Sequence, residues 1–385
     1  MTPIEKPLSL NERRLIELVF RNGEMARIDL TNATDMTGAS VTRLTAGLED
    51  IGLLEQKIDK SGARGQPKKL LSIRRAAFRA VGIYLYLDRM VGVLIDFTGR
   101  VLGESSSRVT CRSADGIMQA AQRLSDKLIN ATQTEPQSFL GIGISVPGNF
   151  GSYGSLLHAH SAFKELEGYQ IQIPDSSLEG ANIHIENDGT AAALGEYLFG
   201  RREKRDPLFL IHIGYGLGGG AVLGGRPYRG MNGNACLPGA LFPYDQPRPT
   251  LQDLQENLEA GGYSIDDIRS SDAEHQLSNP VVAEWIVRAS EQMRFAIQVT
   301  SGMFDPEMIV LGGALPMPIT EKLVGTINQS PLPPPSRGLA TAPVVATRLG
   351  ELNGPIGAAS IPFFRTFFPG SSAERGNAYL DGRSS

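Results

Sequence analysis

Apolar residues recur at helical spacing in residues 10–21, where Leu15, Ile16, Leu18, Val19 and Phe20 lie close together and Asn22-Gly23 supplies a stop. A second short helix is expected over 27–35, with Ile28 and Leu30 facing inward. After a tight Met36-Thr37-Gly38 connection, Val41, Leu44, Leu48 and Ile51 recur at three- and four-residue steps. That spacing predicts a third helix over about 39–51 with one buried stripe. Its other face carries Ser40, Thr42, Arg43 and Thr45, and Gly52 ends it. Residues 53–73 then read as a two-stranded ribbon, LLEQKID and KKLLSI, around the loop KSGARGQP.

The remainder alternates strands with helices. Two apolar strands within 79–104 turn near Asp88-Arg89, an amphipathic helix fits 117–130, and 139–150 form a buried strand ending in a Pro-Gly turn. Residues 182–188 make a strand leading into a helix over 189–200. Residues 209–213 are a strand that empties into a glycine-dense turn, 214–220, followed by a short apolar run, 221–223, and the hairpin dipeptide Gly224-Gly225. Strand, glycine loop, strand lets a backbone approach a phosphate or sugar closely, although a ligand-free glycine hairpin has the same pattern. Gly214, Gly216 and Gly219 also match GxGxxG, but a dinucleotide turn needs a helix next and AVLGGRPY is a strand and a turn. A long helix over 281–301 holds the only tryptophan, Trp285; a strand follows at 308–315, a rigid Pro-rich connection at 331–335, a last helix at 354–368, and a polar, disordered tail from 370. Together these imply an α/β body with mixed sheets.

Composition adds few constraints: 41% apolar and 20% charged residues in 385 are ordinary for a globular chain of two or three domains. No apolar run approaches bilayer length and the first twenty residues hold no signal-peptide core, so a cytoplasmic protein without a membrane partner is expected. Cys111 and Cys236 are too few and too isolated for a disulfide framework or thiolate metal site. Charge changes the picture more. Residues 1–75 carry thirteen Lys and Arg against ten Asp and Glu, net +3, leaving −7 for the rest of a chain whose net charge is −4. Within 57–75 there are seven basic residues and one acidic. Three short helices followed by a basic hairpin make a winged helix-turn-helix, whose third helix fits the major groove and whose loop reaches phosphates or the minor groove. Small three-helix units also serve as protein-interaction modules; the basic wing favours DNA. Ser40, Thr42, Arg43 and Thr45 are then the base-facing candidates, with Arg43 suited to guanine, and Arg64, Lys68 and Lys69 the phosphate or minor-groove candidates.

The motif order GIGISVPGNF, IENDGTAAALGE, the glycine stretch through RGMNGNA, and IVLGGAL resembles the ROK family of sugar-responsive repressors and sugar kinases. The resemblance covers about 10–368, and the segment GARGQPKKLLSI matches the repressor branch. It implies an actin-like ATPase (ribonuclease H-like) body of two lobes, 76–190 and 191–368 with the last helix in the second, preceded by a winged helix-turn-helix domain, 1–75, and followed by the tail 369–385.

Departures from the family pattern carry the functional argument. Tyr84, Leu85, Tyr86, Leu87 and Asp88 stand where the kinases have an Asp-x-Gly-Gly-Thr phosphate turn, and Tyr215 stands where a small hydroxyl residue is usual. Bulky side chains there bar phosphate from the backbone, and phosphoryl transfer depends on that positioning. The family's Gly-Glu-x-Gly-His sugar and zinc motif reads Cys236, Leu237, Pro238, Gly239, Ala240, and FPYDQPRPTLQDLQENLEAGG lacks the zinc-loop cysteines. No cofactor, metal or catalytic residue is therefore expected. The resemblance implies ligand contacts at Asn149, His160, Asn187, Asp188, Gly216, Asn234 and Glu259, with Asp253 an alternative to Glu259. Asp188 matches the kinases' base; here it is a sugar-hydroxyl contact or simply a helix N-cap. The resulting expectation is a homo-oligomeric (dimer or tetramer) regulator, most simply a repressor, that binds a palindromic operator in double-stranded DNA and senses a sugar. The alternatives are a sugar kinase using Asp188 and a regulator that senses no sugar.

Overall fold

A capping box starts the first helix, α1 (Leu10–Asn22): Glu12 N–H donates to Ser9 Oγ at 3.3 Å and Ser9 N–H to Glu12 Oε2 at 2.7 Å. Leu15, Ile16 and Val19 form its buried stripe. The computed structural model describes residues 4, 7–59, 68–109, 113–151, 156–169, 183–200 and 206–369. Next come β1 (Met25–Ala26), α2 (Arg27–Asn32), α3 (Gly38–Asp50), β2 (Leu54–Asp59) and β3 (Lys68–Ile73), the strands pairing antiparallel in the order β1-β3-β2. Arg64 of the wing loop, Cys111 and the tail from 370 lie outside the described residues.

Three facing assignments fail: Ile51, expected on the buried stripe of α3, is 42% exposed at the helix's C-cap, and Ile28 and Thr45 fail for geometric reasons. Ile28 is 61% exposed while Leu30 is fully buried. Two residues apart on a helix are about 200° apart, so one short helix cannot bury both. Thr45, expected on the base-facing side of α3, is fully buried. It lies four residues after Val41 and three before Leu48, on the helix's own apolar stripe. Its hydroxyl accepts from Arg27 Nε at 2.8 Å and donates to the Thr42 carbonyl at 3.1 Å.

The body is layered. Its first sheet has the order β10-β7-β4-β5-β6: β4 (Arg79–Leu85), β5 (Arg89–Asp96) and β6 (Val101–Arg108) form an antiparallel meander, while β7 (Phe139–Val146) and β10 (Ile183–Asn187) run parallel to β4. Helix α4 (Ala114–Ala131) covers one face. A small ribbon, β8 (Gly148–Phe150) and β9 (Leu157–Ala159), leads from β7 toward the cleft. Helix α5 (Asp188–Gly195) starts directly at the end of β10.

The second sheet, β13-β12-β11-β14-β15, comprises β11 (Leu208–Ile213), β12 (Leu217–Leu223), β13 (Arg226–Pro227), β14 (Met308–Gly313) and β15 (Val344–Ala346). The alternation along β11 divides two cores. Phe209, Ile211 and Ile213 pack with α6 (Leu251–Ala260), α7 (Ile265–Ser270), α9 (Pro280–Phe304) and α10 (Met317–Ile327). Leu208 and Leu210 pack with Ala192 and Ala193 of α5. Short α8 (Ala273–Ser278) precedes α9. The final helix, α11 (Asn353–Phe367), which the expected division places with the second lobe, packs on the first sheet and on α5. Gly82 of β4 and Gly143 of β7 explain this placement, because a Cβ at either would strike the α11 backbone at Pro355, Ala359 or Ala358. Apolar side chains of α1 join this core with Phe78, Phe97, Phe363 and Phe367, so the N-terminal domain is docked on the body. Among the described residues, no helix is long and apolar enough to cross a membrane.

Candidate functional site

Glycine serves packing more than ligand approach in the stretch after β11. The turn itself is only Gly214-Tyr215-Gly216, closed by Gly214 N–H donating to the Gly216 carbonyl at 3.0 Å. Strand β12 begins at Leu217, so Gly218, Gly219 and Gly220 belong to a strand and not to a loop. A Cβ on Gly220 would lie 2.5 Å from the Gly189 carbonyl oxygen, and one on Gly219 2.8 Å from that of Cys236. Gly220 lets α5 lie against β12, while Gly219 lets the Cys236–Pro238 segment lie on the strand's other face.

A cleft of about 660 Å³ opens between the lobes above this contact. Asn149, His160, Asn187, Asp188 and Gly216 all line it. Asn187, not Asp188, caps α5: its Oδ1 accepts from Thr190 N–H at 3.1 Å, while its Nδ2 donates to the Gly148 carbonyl at 2.8 Å. Asn187 therefore positions the cleft wall. Asp188 Oδ1 accepts from Gly189 N–H at 2.8 Å and the carboxylate faces the cleft. His160 packs edge-on to Tyr215 with ring centroids 5.8 Å apart. Burial lowers its pKa, Asp188 opposes this and Arg248 adds to it, so the ring is neutral and can both donate and accept.

Two expected contacts are elsewhere. Asn234 spends its amide on the backbone of Phe150, accepting from its N–H at 2.6 Å and donating to its carbonyl at 2.5 Å, and it does not line the cleft. Glu259 is exposed and accepts from Gln255 at 2.9 Å. It lies one turn beyond the cleft on α6, about 6 Å past Gln255. Asp253 does not replace it, because that carboxylate accepts from Trp285 Nε1 at 2.9 Å and pairs with Arg288. From α6 the cleft receives Leu251 and Gln255 instead.

The space over the glycine turn is filled by aromatic rings. Tyr84, at the end of β4, is buried with its hydroxyl 2.9 Å from His212 Nε2 and 3.6 Å from where a Cβ on Gly214 would lie. Tyr86 stands beside it at a centroid distance of 4.6 Å. Burial holds the Tyr84 phenol well above its ordinary pKa and pushes that of Tyr86 up to about 12, so both are neutral donors. His212 Nε2 is 3.7 Å from Asp188 Oδ2, too far for a hydrogen bond. Burial lowers the His212 pKa, with Asp188 opposing. ATP phosphates do not fit a turn whose first amide is already bonded and whose mouth holds Tyr84. Zinc does not fit either: Leu237 and Ala240 offer no donor atom, burial pushes the Cys236 thiol up to about 12, and among the described residues no three His, Cys, Asp or Glu side chains converge.

Reading the motifs missed His212, Gln255, Arg248 and Arg269. His212 had a signal, a lone polar residue on the α5-facing side of an apolar strand.

On α3, Thr42 and Arg43 are exposed and Ser40 half-exposed. Thr42 Oγ1 donates to the Gly38 carbonyl at 2.8 Å and Thr37 Oγ1 to Ser40 Oγ at 3.0 Å, so both hydroxyl groups are partly committed. Arg43 makes no ion pair among the described residues. Lys68 and Lys69 are both exposed but, as consecutive strand residues, point to opposite faces of the ribbon.

A two-lobed body of the actin-like class, carrying a docked N-terminal domain of three helices and a three-stranded sheet, is thus the architecture. The ROK family model matches residues 82–241, and the chain belongs to the ROK family. It is 48% identical to the uncharacterized protein y4fQ of Sinorhizobium fredii over 382 residues, 99% of this chain and 97% of that protein. It is 24% identical to the xylose repressor of Caldicellulosiruptor bescii over 83% of this chain and 88% of the repressor. Among solved structures it resembles a ROK family transcriptional regulator homologous to the E. coli MLC protein, with a TM-score of 0.70, 21% identity, and coverage of 95% of this chain and 98% of that one.

Proposed function

We propose that the chain is a DNA-binding transcriptional regulator of carbohydrate genes, acting as a repressor, whose body senses a sugar or sugar derivative without phosphorylating it. The observation that carries this reading is the filled phosphate position: Tyr84 lies over the glycine turn while Asp188, His160 and Asn149 still line an open cleft. A cleft that keeps hydroxyl-binding groups but has no room for ATP phosphates can bind a sugar and cannot transfer to it. The resemblance to a xylose repressor supports the carbohydrate link. Arg43 reads base edges, Ser40 and Thr42 assist, and Arg64, Lys68 and Lys69 serve the phosphates. A two-fold oligomer places two such heads on a palindromic operator.

The test has two arms. Purified protein is expected to shift its own promoter DNA in gels and to release it with a sugar ligand. Sugar-dependent ATP consumption that vanishes in Asp188→Asn would instead establish the kinase reading, which the retained Asp188 carboxylate favours.

A further inference from the structure

We propose that the ligand of this cleft is an anionic sugar derivative, a polyol bearing a carboxylate or a phosphate, and that Arg248 holds its charged group. The inference rests on the sensor reading above and adds the chemical class of the ligand. Arg248 lies in the segment just before α6 and lines the cleft with Gly239, Ala240 and Tyr244. It stands between Pro247 and Pro249, whose rings restrict the local backbone, and Gln292 Nε2 donates to the Pro247 carbonyl at 2.7 Å.

The guanidinium is held in place and incompletely used. Its Nη2 donates to the Gly239 carbonyl at 2.8 Å, and its Cζ lies 4.2 Å from the centroid of the Tyr244 ring. Nε is buried with no hydrogen-bond partner. Among the described residues Arg248 pairs with no carboxylate, in contrast to other arginines of the body. Arg229 holds Glu186 at 2.5 Å, Arg288 pairs with Asp253, Arg269 reaches Asp266 at 4.0 Å, and Arg89 reaches Asp88 at 3.9 Å. A half-buried cation with unused donors and no counter-ion is a site for an oxyanion, which a planar guanidinium can bind through two parallel hydrogen bonds.

The surroundings fit one negative charge on a hydroxylated molecule. His160, close enough to feel both charges, is kept neutral, so it adds a hydrogen-bonding group and no second cation. Asp188 and Asn149 offer hydroxyl-binding groups from the first lobe. Leu237 and Ala240, beside Arg248, offer only apolar surface, so the polarity of that part of the wall rests on the guanidinium.

Titration calorimetry on the full chain tests this with glucose, galactose and xylose, each beside its sugar acid and its sugar phosphate. At least one acid or phosphate is expected to bind at least tenfold tighter than its neutral parent, and comparing acid with phosphate identifies which oxyanion is recognised. Arg248→Gln should weaken that ligand tenfold or more, and Arg248→Lys, which keeps the charge but not the fork, should weaken it less. Thermal unfolding of both variants checks that they fold. Equal or tighter binding of the neutral parent, or an unchanged affinity in a folded Arg248→Gln protein, overturns the anionic ligand and leaves the sensor reading standing. Silence of the wild-type chain across the whole panel overturns both.

Discussion

Replacing Phe20 by alanine tests whether the N-terminal domain, here called the head, and the body behave as one unit. The Phe20 ring meets three body rings edge-on, with centroids 5.8 Å from Phe97, 6.2 Å from Phe199 and 5.2 Å from Phe368. A fully buried phenylalanine costs about 3–5 kcal/mol when truncated; for a half-buried ring we expect roughly 2–3 kcal/mol, part of it from the edge-to-face contacts. How far this moves the melting transition depends on what melts. A head of about 70 residues has an unfolding entropy near 0.15 kcal/mol/K, so if it melts alone it should fall by about 15–20 °C. A chain of 385 residues melting as one unit would shift by only about 3 °C.

Because α1 shares its core with α11, we expect one transition in the wild type and two in Phe20→Ala, the earlier one belonging to the head. Scanning calorimetry gives the transitions, and hydrogen exchange assigns them, with α1 and α3 amides losing protection before those of β4 and β7. A single endotherm within about 1 °C of wild type, with α1 protection unchanged, would show that the docked contacts contribute nothing to stability.

Three further outcomes follow from named groups. Arg43→Ala should weaken binding to the cognate operator by roughly 1–3 kcal/mol and spare non-specific DNA, whereas Lys68→Ala should weaken all DNA alike and reduce the salt slope; identical effects of the two in gel shifts would refute the assignment. Thr45→Val leaves Arg27 Nε without its acceptor and should cost about 1–2 kcal/mol in urea unfolding, with no loss of operator specificity beyond that destabilisation. Burial lowers the His184 pKa to about 3, and Arg365 adds to this. The unfolded chain therefore takes up this proton near pH 6.5 while the folded chain does not, so stability falls as pH drops from about 6.5 toward 3. The loss by pH 4.5 should be about 2–3 kcal/mol, and His184→Gln should abolish that part of the slope.

Long periodic elements were legible because a stripe repeated over several turns outvotes any single residue: α1, α3 and α9 fall within a few residues of their expected bounds. Elements whose identity depends on a distant partner were not. Strand β1 is two residues long and exists only by pairing with β3, and α11 is assigned to its lobe by glycines more than 200 residues upstream. The glycine stretch was ambiguous for the same reason. Close approach of a phosphate and close approach of a helix demand the same absent Cβ, and only the position of Gly189 beside Gly219 and Gly220 decides between them. Asn149, His160, Asn187, Asp188 and Gly216, singled out from motif order, lie along one cleft. Tyr84 and His212, 128 positions apart, reveal their joint role only when the sheets meet.

Helix α5 gives the cleft a physical route to the head. Its first residue is Asp188, and the chain leaves it through a π-helical turn, Glu196–Gly200, in which the Tyr197 hydroxyl accepts from Arg21 of α1. The helix is gripped without intervening side chains at both ends, Gly189 against Gly219 and Gly195 against Gly357, so a shift at one end cannot be absorbed by rotamer changes. A ligand moves such an element only in so far as it binds two arrangements with different affinity. A ligand touching one lobe alone would bind open and closed clefts alike, whereas one spanning Asp188 and Arg248 would be sensitive to their separation. On this hypothesis the undocked Phe20→Ala protein keeps its ligand affinity in calorimetry while the ligand no longer alters its operator affinity in gel shifts. An undiminished ligand effect on DNA from a head that melts on its own would mean that the signal reaches the operator by a path other than α5 and α1.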